Sequence, residues 1–156
     1  MLIPKNQLNA PVGGSDPFKS LLIPVYNRSG SATVVGSVLM LDLADSESTA
    51  NSDKMLVNAI TPTTAGINSG FPMGPVTSVA ADDAITFMQI GGKVRILTDG
   101  NNLLPGDPLK AANASTVAVE ATEQTDIFHW ISLETNNGAA NVVIDALVVT
   151  PCGRDT

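Results

Sequence analysis

The sequence predicts an all-β fold, of the sandwich or barrel kind, and three observations lead there. Val, Ala, Ile, Leu and Thr carry most of the bulk, while the aromatic set is only Phe18, Tyr26, Phe71, Phe87, Phe128 and Trp130. That mix suits close-packed pleated sheet better than a platform for stacking bases. Short apolar strings recur between clusters of Gly, Pro, Asn and Asp, at the spacing of sandwiches and barrels. No segment sustains a helical period over about ten residues.

Residues 1–20 are rich in Pro, Gly, Asn and Ser. Pro4, Pro11 and Pro17 deny this stretch helix or central-strand status. Isolated apolar residues (Leu2, Ile3, Leu8, Val12 and Phe18) make it read as an extended arm that lies on a neighbour or on its own domain. The rest, 21–156, reads as one domain, a length at which a single core can be buried.

"LLIPVYN" at 21–27 reads as a strand ending in the turn "NRSGS", and "ATVVGSVLMLDL" spans 32–43 with Asp42 near the strand end. The polar excursion "ADSESTANSDKM" at 44–55 has room for a short helix near Asp53–Val57. "LVNAITPTTAGI" and "GFPMGPVTSVAA" follow, broken by Pro62, Pro72 and Pro75, and "AADDA" at 80–84 reads as a turn. In "ITFMQIGGKVRIL", period-two alternation on both sides of Gly91-Gly92 predicts a tight hairpin. "LLPGDPL" holds a Pro-Gly turn. "STVAVEA" (115–121), "IFHWISLE" (127–134) and "NVVIDALVV" (141–149) complete about eight to ten strands, with Asn137-Gly138 turning between the last two.

Charge excludes several partners. The formal net charge is −7, and the eight Lys and Arg are scattered. Nucleic acid needs a basic patch that releases counterions, and an anionic membrane surface needs the same, so neither is expected as a partner. The opening "MLIPKNQLNAPVGG" lacks the apolar run of a signal peptide, so use without secretion is expected. One cysteine, Cys152, allows no intramolecular disulfide and no cysteine-based zinc site.

Catalytic chemistry is poorly supplied. His129 is the one histidine, so any zinc site or Ser-His-Asp triad must recruit it, and no nucleophile-elbow motif accompanies it. Asp82 and Asp83 are adjacent, which in a turn leaves both solvated rather than facing across a cleft. Asp42, Asp45, Glu47 and Asp53 lack the spacing and glycine of a calcium loop. "GGK" at 91–93 lacks the upstream glycine and following Ser/Thr of a phosphate loop. No enzyme activity, no cofactor and no metal are expected.

The order of strands and turns carries a resemblance. "GSVLMLD" (36–42), "MGPVTSVAADDAITFMQIGGKVRIL" (73–97), "LLPGDPL" (103–109), "HWISLET" (129–135) and "NVVIDALVV" (141–149) resemble, over about 110 residues, the small capsid decoration (head cement) proteins of tailed bacteriophages, a DUF2190-like family. His129 and Trp130 stand where that family prefers small residues. The resemblance implies a small β-barrel or β-tulip domain. It would form a homotrimer on the outer surface of the capsid in the virion and stabilise contacts between major capsid protein subunits. Capsid or subunit contacts are then expected from Leu2, Ile3, Leu8, Val12, Phe18, His129 and Trp130. The competing reading is a carbohydrate-binding or adhesin-like β-module on a virion surface, for which Tyr26, Phe71 and Trp130 would be the sugar platform.

Overall fold

The computed structural model describes residues 20–42, 56–100, 102–122 and 125–152. Among them are twelve strands and one short helix, arranged as two β-units that share a strand face. Residues 1–19 of the arm and the whole of the 44–55 excursion lie outside the described residues.

The first unit contains β1 (Leu21–Asn27), β2 (Val38–Leu41), β3 (Val57–Ile60), β4 (Met73–Pro75) and β5 (Ile85–Gly91), in the order β4-β2-β3-β1-β5. Pairing is antiparallel except between β1 and β3, which run parallel with Val25 opposite Val57. The sheet curls until its two ends meet, where Val76 bridges Met88. Gly74 sits at that seam: a Cβ added there would lie 2.2 Å from the Gln89 carbonyl oxygen, so only glycine lets the backbones approach. Val25, Leu39, Ala59, Val76 and Met88 fill the curl.

The second unit is a closed barrel, β10-β12-β6-β9-β8. Its strands are β6 (Lys93–Thr98), β8 (Pro108–Ala111), β9 (Ala118–Glu120), β10 (Phe128–Ser132) and β12 (Val142–Cys152), with β7 (Asn102–Leu103) and β11 (Asn136–Asn137) forming a separate ribbon. Val94, Ile96, Leu109, Ala118, Trp130, Ile144 and Ala146 pack in one cluster with Val38, Met40, Ile67 and Met73. The all-apolar run "VLML" explains the join. β2 turns Val38 and Met40 toward the barrel cluster and Leu39 toward the curl, so a strand buried on both faces serves two cores. Gly36 (φ 91°) closes the joint, its carbonyl accepting from the Leu97 amide at 2.9 Å while its own N–H donates to the Val76 carbonyl.

The largest departure from the sequence reading concerns Gly91-Gly92, which does not form a hairpin. β5 pairs with β1, from Leu22 opposite Gln89 to Tyr26 opposite Ile85. β6 pairs instead with β12, from Val142 opposite Thr98 to Leu147 opposite Lys93. The glycines turn a corner from one unit to the other. Gly92 adopts φ 76°, and its carbonyl accepts from the Val148 amide at 3.0 Å. The Gln89 side-chain amide ties the corner, donating to the carbonyls of Gly91 (3.0 Å) and Lys93 (2.8 Å) and to the Ser20 hydroxyl (3.1 Å). Alternation marks both strands, but partner competition decides the pairing. The long β12 offers β6 a six-residue ladder, and β1 already occupies the flank of β5.

Two smaller departures have local causes. The helix among the described residues is α1 (Thr64–Asn68); of the short helix expected near Asp53–Val57, residues 53–55 lie outside the described residues. Thr63 caps it by accepting from the Gly66 amide, and Val57 opens β3 instead. The predicted 32–43 strand is regular only over Val38–Leu41, because Gly36 breaks it and the Ser37 hydroxyl accepts from the Val34 amide. The turns at 27–31, 80–84, 105–106 and 137–138 form where expected, with Gly30, Asp83, Gly106 and Gly138 at positive φ.

Candidate functional site

The expected contact residues divide sharply. Leu2, Ile3, Leu8, Val12 and Phe18 lie outside the described residues. Trp130 and His129 are described, and both are buried. Trp130 lies opposite Leu109 on one side and Val148 on the other, and its indole N–H has no protein acceptor. Its role is to fill the barrel, not to present a surface. The His129 ring lies 5.3 Å from the indole, and neither ring nitrogen has a hydrogen-bond partner. Burial pushes the imidazole below its ordinary value, outweighing the Phe71 backbone, which lies close but outside hydrogen-bonding geometry. Among the described residues no serine or aspartate is therefore joined to His129, and the elements of a triad are not brought together there.

The other candidates are structural. Asp82 accepts from the Gly30 amide at 3.0 Å and Asp83 pairs with Arg28, so the two carboxylates pin one turn against another. Among the described residues no group of three or more His, Cys, Asp or Glu is placed to hold a metal. The aromatics named for a sugar platform are withdrawn from the surface: Tyr26 and Trp130 are buried, and Phe71 packs against the barrel cluster.

A cavity of about 240 Å³ opens beside α1, lined by Ile67, Asn68, Lys110, Asn113 and Asp126 among others. Its charges are already matched. Lys110 meets Asp126 at 2.7 Å, and the same carboxylate oxygen accepts from the Thr122 amide at 2.8 Å. Burial works to raise the Asp126 carboxyl, but the Lys110 and Thr122 bonds prevail and hold it below its ordinary value. Among the described lining residues no charge is left over to recruit an ion.

The feature that sequence reasoning missed is the outer face of β1 and β5. Alternation along β1 sends Ile23, Val25 and Asn27 inward and leaves Leu22, Pro24 and Tyr26 outward. The register sets Pro24 opposite Phe87 and Tyr26 opposite Ile85. Tyr26 is buried, whereas Leu22 (46%), Phe87 (47%) and Ile85 (51%) stand half exposed, with Leu21 (55%) beside them. A strand wetted on one face normally alternates apolar with polar, yet "LLIPVY" and "ITFMQI" have no charged residue and an apolar outer row. The signal was available in the sequence, as two uncharged strands with Leu22, Pro24, Ile85 and Phe87 at alternate positions of one face.

No family model matches the chain, and no curated protein matches it. The decoration-family resemblance thus has no support from a family model, and the hairpin that carried much of it is a corner. A solved structure is similar in fold: the N base of head fiber gp8.5 in bacteriophage phi29. The TM-score is 0.54 at 9% identity, covering 88% of this chain and all of that one. At that identity the likeness establishes the architecture.

Proposed function

We propose that this chain is a structural protein of a bacteriophage head, a decoration protein bound to the outer surface of the capsid as a homotrimer. There it stabilises contacts between major capsid protein subunits. The observation that carries the reading is the fold, shared over nearly the whole chain with the base of a phage head fiber. Neither nucleic acid nor membrane is a partner in this reading, and no catalysis is involved. Many copies on a lattice convert a modest contact into large total stabilisation. The apolar residues of the first twenty supply the capsid contacts.

The test is to mix the purified protein with heads assembled from the major capsid protein of the same phage genome. Binding that saturates in multiples of three and raises the disruption temperature of the heads is expected. Heads that neither bind the protein nor gain stability would overturn the reading. Removing residues 1–20 should weaken head binding more than it lowers the melting temperature of the free protein.

A further inference from the structure

The outer row of β1 and β5 is unexplained by anything else in the fold. Its opposite face already fills the curl with Ile23, Val25 and Met88. A solvated face would carry polar residues at Leu22, Pro24, Ile85 and Phe87. Instead Thr86 and Asn27 turn inward, Thr86 fully buried with its hydroxyl beside that of Ser78 at 3.2 Å, and Gln89, opposite Leu22 at the end of the outer row, is buried with its amide spent on the Gly91 and Lys93 carbonyls. Leu21, Leu22, Ile85 and Phe87, each about half exposed, together offer on the order of 400 Å² of apolar surface. That is about half of one partner's share of a standard interface, and more than isolated surface residues present.

Charge selects the occupant. The chain carries a net charge of −7, so two copies repel wherever their acidic surfaces meet. Near a rotation axis a patch faces its own copy, and any charge there meets its like at close range. Where the same residues of successive copies gather round the axis of the proposed trimer a charge would meet its like, and β1 and β5 are uncharged throughout. The barrel exterior differs, carrying the Lys93–Asp145 and Lys110–Asp126 pairs. The rim is polar, with the Arg28–Asp83 pair at one end and the Gln89 amide at the other. An apolar centre within a polar rim is the usual anatomy of a protein interface.

We infer that the β1/β5 face is where copies of this chain meet, with Phe87, Ile85 and Leu22 as its centre. The inference rests on the self-association in the reading above and is independent of the capsid. It is tested by sedimentation equilibrium on the full chain. The unaltered protein should associate. Phe87→Glu and Ile85→Lys should each raise the dissociation constant about tenfold or more with unchanged circular dichroism, while Leu104→Glu, at an exposed apolar site in the loop between β7 and β8, should leave it unchanged. A photo-crosslinking residue at position 87, which asks nothing of the charge variants, should join two chains.

A protein monomeric at every concentration, or one whose association ignores both face variants, would overturn the inference. So would a crosslink running only to residues 1–19 of the same chain, which would make that segment the occupant. Head binding separates the two claims. Association through another face with normal head binding ends this inference alone. Association through this face without head binding ends the capsid reading alone.

Discussion

The barrel and the curled sheet solve burial differently. The barrel closes on itself, fills its interior around one large side chain, Trp130, and faces water with charged pairs. The sheet closes only through a bridge between Val76 and Met88, fills its curl with smaller residues, and leaves an apolar row outside. A unit satisfied on its own suits a scaffold. A unit that needs a second cover suits a contact surface. The joint at Gly36 and the two-faced strand β2 then make one rigid support for the other.

The comparison breaks most visibly at Trp130. Trp130→Ala removes the largest fully buried side chain from a barrel whose strands cannot collapse inward without losing their ladders. A loss of about 3–5 kcal/mol is expected, read by denaturant unfolding. Phe87→Ala, on the half-exposed outer row, should cost about 1 kcal/mol or less in the free monomer. If the two losses were similar, the distinction between scaffold and surface would fail.

The sheet has its own internal tie in Asn27. Its side-chain amide donates to the carbonyls of Ser31 (2.8 Å) and Ala81 (3.0 Å), and its oxygen accepts from the Ser29 amide and hydroxyl. With the Ala80 carbonyl at 3.3 Å, five partners from two turns converge on one buried side chain. Asn27→Ala strands them, and a loss of about 2 kcal/mol is expected, with Asn27→Asp recovering only the accepting half. A loss confined to a few tenths would show that water replaces these bonds and that the turns hold themselves.

These turns were also the most legible part of the sequence. Gly30, Gly106 and Gly138 announce positive φ locally, and Asp107 closes the Pro-Gly turn by accepting from the Leu104 amide at 2.7 Å. Strand existence was legible for the same reason, since alternation is local. Pairing was not, because it depends on which distant strand competes best, and so Gly91-Gly92 reads as a hairpin while acting as a corner. His129 and Trp130 show the same limit: their type suggested contacts, but Leu109 and Val148 close over the indole from far along the chain. The outer row of β1 and β5 lay in plain view, legible once the missing polar positions are counted.

His129 offers a pH-dependent probe of the barrel. Its folded-state value is depressed by burial, so the unfolded chain takes up a proton first. The stability it permits is complete above the ordinary value of about 6.5 and is lost as the pH falls from there toward the folded value. The slope should approach about 1.4 kcal/mol per pH unit across that window, taken as the difference between the unaltered protein and His129→Leu so that carboxylates cancel. Parallel pH profiles for the two proteins would show that the imidazole reaches water or a partner in the folded state.

The smallest effect sharpens the claim that the barrel's surface charges are incidental to its stability. The Lys110–Asp126 pair, at 2.7 Å, has side chains 28% and 22% exposed, so solvent screens much of its attraction. Lys110→Met keeps the stem packed against the cavity wall and removes only the ammonium. The expected loss is about 0.2–1 kcal/mol at low salt, shrinking as salt is added. Asp126 should then titrate closer to its ordinary value while keeping its bond from the Thr122 amide. Acid unfolding measured for both proteins provides the check. Because the folded Asp126 value is depressed, its contribution exists above the ordinary carboxyl value of 3.8 and disappears as pH falls through the folded one. The variant should therefore differ from the unaltered protein near neutral pH and converge with it in acid. A gap that persisted in acid would place the effect in packing of the lysine stem rather than in charge.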